Sequence, residues 1–145
     1  MLKIDFGSGY NPNKEYKTCD ITGSPILDYL YDKKDTILDL KEKSVDEFYL
    51  RNVVHHMPDL KRTFKCLKKY LKDDGKIKII ECKKENYYAN WFLDLLWYRY
   101  VIPREEFWFS DRYRDYKNAL LNIGFKKIES YEENEKEISV WEKVN

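Results

Sequence analysis

The sequence predicts an α/β fold: a mostly parallel sheet with helices on both faces, closed by an antiparallel hairpin at its C-terminal end. Three observations lead there. Leu2 to Phe6 is a short apolar run containing one acid, Asp5, and it breaks at once into Gly7-Ser8-Gly9. A buried parallel strand that opens into a backbone cradle has this pattern, because glycine adopts φ > 0 and lets main chain approach a ligand without a Cβ in the way. Two further apolar runs, 45–50 and 76–81, flank a stretch whose apolar residues recur at helical spacing. The chain then closes on a helix-period segment, Gly124, and two strand-like runs around Glu133-Asn134-Glu135.

Taken in order, strand one covers Leu2 to Phe6 and strand two Lys17 to Ile21. Between them only the turn-like Asn11-Pro12-Asn13-Lys14-Glu15 is available, which is near the lower limit for joining parallel strands. Pro25 to Asp32 reads as a third strand from its β-type residues and closing acid, although Leu27, Leu30 and Tyr31 also fit a helical stripe. Val45 to Leu50 is strand four. Pro58-Asp59 starts a helix with Leu60, Phe64, Leu67 and Leu71 inward and Lys61, Arg62, Lys65, Lys68, Lys69 and Lys72 toward water. Asp73-Asp74-Gly75 is expected to stop it and lead into strand five, Lys76 to Glu81. Tyr116 to Ile123 is an amphipathic helix closed by Gly124, Phe125 to Glu132 a strand, and Glu137 to Val144 a last strand pairing antiparallel with it.

Composition bounds the alternatives. The 145 residues suit a single domain, with no room for a separate substrate domain. Basic and acidic residues nearly balance, 27 against 26, so net charge gives no support for a nucleic-acid partner and does not exclude one. Cys19, Cys66 and Cys82 lack metal-ligand spacing, and no metal is expected. With no signal pattern and no apolar run of membrane-spanning length, the expected location is cytoplasmic.

The glycine turn narrows the ligand. A dinucleotide fingerprint needs a third glycine opening a helix whose N-terminus holds a pyrophosphate, and this chain has Pro12 there. A ligand without phosphates fits better. S-adenosylmethionine meets that description, and Asp20, ending strand two, has a carboxylate able to accept both hydroxyls of a ribose.

Further landmarks follow in order: Asp5-x-Gly7-x-Gly9, then Cys19-Asp20-Ile21, then Ser44 to Phe48 leading into Asn52-Val53-Val54-His55-His56-Met57-Pro58-Asp59, then Leu67 to Ile77, and late in the chain Gly124-Phe125. Together they resemble a class I (Rossmann-like) S-adenosylmethionine-dependent methyltransferase of a compact, single-domain branch. The resemblance spans roughly residues 2–82. It implies S-adenosylmethionine as cofactor, held by Asp5, Gly7, Gly9, Asp20, Ile21, Asp32 and Asn52, with Asp28 and Asp39 as rivals to Asp32 at the adenine. It places His56 on the histidine of the family's "hvLeH" and "LHH" motifs and His55 on the variable neighbour. Either is a candidate catalytic base for an acceptor hydroxyl or amine; packing the turn is the competing role. The Asp/Asn-Pro-Pro-Tyr run of amide- and adenine-N-methylating relatives is absent, Arg51-Asn52-Val53-Val54 standing in its place. The family's helix ahead of strand one and its first crossover helix are also missing.

Residues 83–115 differ sharply from the rest. Tyr87, Tyr88, Trp91, Phe92, Trp97, Tyr98 and Tyr100 make a helix apolar around most of its circumference, followed by Pro103 and Phe107-Trp108-Phe109. In the family this position carries the substrate lid. A completed core is the alternative, or an interface over 87–109 with a second copy or another protein. Two functions stay open: transfer of a methyl group to an unidentified acceptor, small molecule or macromolecule, or a non-catalytic methyltransferase-like subunit that binds a partner through this segment.

Overall fold

A computed structural model describes residues 1–8, 13–20, 27–54, 57, 59–82 and 116–144. Gly9, Ile21, His55, His56 and the aromatic segment 83–115 lie outside them. The described residues form one eight-stranded sheet. Its strands are β1 (Lys3–Phe6), β2 (Lys17–Asp20), β3 (Tyr29–Tyr31), β4 (Ile37–Leu38), β5 (Val45–Arg51), β6 (Leu71–Cys82), β7 (Phe125–Glu133) and β8 (Lys136–Lys143). They lie in the order β4-β3-β2-β1-β5-β6-β8-β7. Strands β3, β2, β1, β5 and β6 run parallel, while β4 and β8 pair antiparallel with their neighbours and β7 antiparallel with β8. The mostly parallel sheet with its C-terminal antiparallel hairpin is thus the one expected.

One face forms the core. Ile4, Phe48, Ile77 and Trp141 make a continuous cross-strand row, all at most 1% exposed. Against this face pack α1 (Leu60–Tyr70) and α2 (Tyr116–Asn122), through Leu60, Phe64, Leu67, Tyr116, Ala119 and Leu120. Asp59 caps α1 by accepting the Arg62 N–H at 3.1 Å, satisfying one of the orphan donors of the first turn. The two described helices also touch each other, so the expectation of helices on both faces is met on one face by the described residues. On the other face, Tyr16, just ahead of β2, covers part of the sheet. Tyr16 stacks on Tyr49 at 5.1 Å, bonds Glu47 through its hydroxyl, and carries Lys3 over its ring at 5.6 Å.

Details differ from expectation. Leu71 is the first residue of β6, not the last turn of the helix, and the strand begins before Asp73-Asp74-Gly75. The pairing of β5 with β6 is irregular there, jumping from Val45↔Leu71 to Glu47↔Lys76. Gly75 does not have the left-handed φ of a helix cap. It is required for proximity: a Cβ would lie 2.6 Å from the Leu71 side chain and 2.9 Å from the Val45 carbonyl oxygen. The two-residue strand β4 was not expected. It follows a turn in which Asp32 Oδ1 accepts the N–H groups of Lys34 at 2.7 Å and Thr36 at 3.1 Å. The final hairpin turns through Asn134 (φ 50°) and Glu135 (φ 62°), both left-handed as a two-residue loop between twisted strands demands.

Candidate cofactor site

In an open parallel sheet the ligand bed lies at the carboxyl ends of the strands, where strand order reverses. Here the chain leaves β1 toward β2 and β3, then returns to the other side of β1 as β5. The ends of β1, β2 and β5 therefore meet at one edge, bringing Gly7, Asp20 and Asn52 to neighbouring positions. Gly7 has φ +75°, and both its N–H and that of Ser8 donate to the Cys19 carbonyl, at 2.8 and 3.1 Å. This clamp turns the chain sharply out of β1. Val53 sits directly against the turn, with its Cγ2 only 2.2 Å from where a Cβ on Gly7 would be.

Two carboxylates lie within this bed, Asp5 at 2% and Asp20 at 8% exposure. Asp5 Oδ2 accepts the Asn13 N–H at 2.8 Å and so draws the returning loop back over the strand. Burial pushes its carboxyl above the ordinary value, the Asn13 bond and Arg51 oppose that, and Asp20 adds to it by like-charge repulsion. Asp5 is thus an organiser of the cradle, and Asp20 stands at the end of β2 beside it.

The other predicted residues are more scattered. Asn52 has a left-handed φ of 53°, gives its N–H to the Ile80 carbonyl at 2.9 Å, and accepts Lys136 Nζ at 3.4 Å on its side-chain oxygen. Asp32 is at the same sheet edge, exposed, with its carboxylate engaged in the β3–β4 turn. Desolvation, the largest single influence, raises its carboxyl, but the N–H groups of Thr36, Lys34 and Asp35 together hold it below the ordinary value. Of its rivals, Asp28 is tied to Thr18 through both N–H (2.9 Å) and hydroxyl (3.2 Å), while Asp39 has φ 64°.

Two residues escaped sequence reasoning. Ser8, between the glycines, is 5% exposed and its hydroxyl has no hydrogen-bond partner among the described residues. A buried orphan hydroxyl costs about 1–3 kcal/mol unless something bonds it, and this one is in the cradle itself. Its position between two glycines was the available signal. Glu81, in β6, is 1% exposed and accepts the Val54 N–H at 3.1 Å, anchoring the turn that presses Val53 onto Gly7. Nothing local in the sequence pairs residues 54 and 81.

These features fit S-adenosylmethionine. The Gly7-Ser8 turn stands at the reversal of strand order, the Ser8 hydroxyl offers a polar contact, and two buried acids suit a ligand carrying ribose hydroxyls and positive charge. Among the described residues no His/Cys/Asp/Glu group could hold a metal, and no helix is long and apolar enough to cross a membrane.

Comparison with known proteins agrees with the geometry. Residues 14–79 match the family model described as a methyltransferase domain. A putative type 11 methyltransferase from Sulfolobus solfataricus shares 20% identity over 99% of this chain and 84% of its own, with a TM-score of 0.62. A SAM-dependent methyltransferase from Aquifex aeolicus shares 16% over 100% of this chain and 82% of its own, TM-score 0.63. The trans-methyltransferase CalH, solved with SAH, shares 17% over 100% of this chain and 51% of its own, TM-score 0.66, so the present chain spans about half of that enzyme. At such identities the likeness is one of fold. No curated protein matches the sequence.

Proposed function

We infer that the chain is a class I S-adenosylmethionine-dependent methyltransferase, transferring a methyl group to an acceptor whose identity stays open. One observation carries most of the weight: the Gly7-Ser8 turn, clamped to Cys19 at the reversal of strand order, beside buried Asp5 and Asp20. The sulfonium of the bound cofactor supplies an already activated methyl group, so the protein's task is alignment and exclusion of water. Asp20 accepts from the ribose hydroxyls, Ser8 Oγ and the backbone of Gly7 and Gly9 bed the methionine side, and Ile21 packs the base. Asn52 lies toward the amino-acid end, and Asp32, Asp28 or Asp39 toward the adenine. His56, with His55, is the nearest candidate in sequence for taking a proton from the acceptor. The test is thermal: S-adenosylhomocysteine at about a hundred times its Kd should stabilise the native state by about 2.7 kcal/mol and raise Tm. An unchanged Tm at millimolar ligand would remove the cofactor from this site.

Two substitutions separate the contacts. Asp20→Ala should weaken S-adenosylhomocysteine binding by about 1.5–3 kcal/mol, the scale of hydrogen bonds to a charged group. Ser8→Ala should act with opposite signs: the free protein becomes as stable or more stable because a buried orphan disappears, while affinity falls by about 0.5–1.5 kcal/mol. Calorimetry and melting on the two variants would decide. Affinities within twofold of the parent would place ribose and methionine elsewhere.

Acceptor recognition falls to residues 83–115, because the other segments are committed to sheet, core or cofactor bed. Aromatic faces around a positively charged reaction centre exclude water and favour the cation. Trp97→Ala should then lower turnover at least tenfold with S-adenosylhomocysteine affinity little changed; an equal loss of both, or neither, would end the acceptor assignment.

A further inference from the structure

A second concave surface runs along the outer face of α1 toward the amino ends of the parallel strands, where Lys43 and Lys143 join it. It is a cleft of about 520 Å³ bounded by Lys43, Lys61, Lys65, Lys68, Lys69 and Lys143, with Glu42 the one acid among its described lining residues. In a chain whose 27 basic and 26 acidic residues nearly cancel, this is a strong local segregation of charge.

Folding accounts for half of these lysines. Lys68 Nζ donates to the Ile123 carbonyl at 2.6 Å, Lys143 Nζ to the Leu71 carbonyl at 2.5 Å, and Lys69 Nζ to the Asp35 carbonyl at 2.5 Å. Lys43, Lys61 and Lys65 have no side-chain partner among the described residues. Helix stability does not explain them either. Helix α1, LKRTFKCLKKY, contains no acid, and Lys61 stands in its first turn, where the helix dipole disfavours a cation. Lys61, Lys65 and Lys69 follow at i, i+4 and i+8, a spacing at which like charges repel. The crowding is felt inside the cleft: burial, together with Lys43 and Lys68, holds the Lys143 ammonium below its usual value despite Asp73.

We propose that this lysine cleft docks the phosphate backbone of a nucleic acid. The run Lys61 to Lys69 is about 12 Å long, or some three to four nucleotides at about 3.4 Å each. Lysines act there as point charges on phosphates, without regard to sequence. An acidic protein is a poorer match, since protein interfaces need a desolvated aromatic or apolar centre and are depleted in lysine, and this cleft offers only Ile123. The site goes beyond the methyltransferase reading and does not depend on it.

Fluorescence anisotropy with a labelled 20-nucleotide single-stranded RNA, from 50 to 200 mM salt, tests the proposal. The parent protein should bind at low salt and weaken steeply as salt rises. The variant K43E/K61E/K65E should lose at least tenfold in affinity and have its log–log salt slope reduced by about 2, at roughly 0.7 per lost phosphate contact. Its S-adenosylhomocysteine binding should be unchanged, and if that charge reversal disturbs folding, K43Q/K61Q/K65Q gives the same reading with a smaller loss. No RNA binding at 50 mM salt, a folded triple variant that binds as the parent does, or equal displacement by polyglutamate of the same charge would each overturn it.

Discussion

Gly7→Ala is expected to unseat the cofactor bed and to lower Tm by roughly 4–20 °C, about 2–5 kcal/mol in a domain of this size. Two independent costs add. The residue holds φ +75°, where an L side chain costs about 1–2 kcal/mol. The new methyl would also meet Val53 Cγ2 at 2.2 Å and Cβ at 2.8 Å, and forcing extra volume into packed surroundings costs about 1–3 kcal/mol. Valine is branched at Cβ and cannot swing a flexible end aside. S-adenosylhomocysteine affinity should fall at least tenfold, because both N–H groups bonded to Cys19 lie in the displaced turn. Adding Val53→Ala removes the 2.2 Å contact with Cγ2 but leaves the 2.8 Å contact with Cβ and the backbone strain, so only part of the stability should return. A Tm within about 2 °C of the parent would show that the turn tolerates a side chain.

Gly7 is also where sequence and structure agree most closely. The glycine turn, the acid ending β2 and the switch point could be read from the chain because each depends on local chemistry: backbone φ, a strand's closing residue, the order of apolar runs. Features set by partners distant in sequence were less legible. Leu71 has the right spacing for the inner face of α1, yet it pairs with Val45 and begins β6. Gly75 looks like a helix stop but is small because Val45 and Leu71 crowd it. The use of Tyr16 to cover Tyr49 and Glu47 was not foreseen, since nothing in residues 13–16 names those partners. The lysine face of α1 was visible as a solvated stripe; only the fold brings Lys43 and Lys143 to it.

Glu81 is the extreme case, and replacing it should have the second large effect. Its carboxylate is 1% exposed in the β6 strand, paired across to Glu137, whose own charge is met by Lys117. Through Oε1 it accepts the N–H of Val54, a residue fully buried in the turn that follows β5. Glu81→Ala would leave that N–H without an acceptor, a penalty of about 1–3 kcal/mol, and would open a cavity where the side chain packed. A total loss of about 2–4 kcal/mol is expected from chemical denaturation. Because the Val54 turn holds Val53 against Gly7, the effect should reach the ligand: S-adenosylhomocysteine affinity falls at least tenfold although Glu81 is not placed on the cofactor. Glu81→Gln keeps an acceptor oxygen in nearly the same volume and should retain most of the affinity. This rescue is what distinguishes positioning from bulk stability. Gln behaving like Ala would mean that the charge of Glu81, not its bond to Val54, sustains the site, and an Ala variant that is destabilised but binds as the parent does would uncouple Glu81 from the cofactor bed altogether.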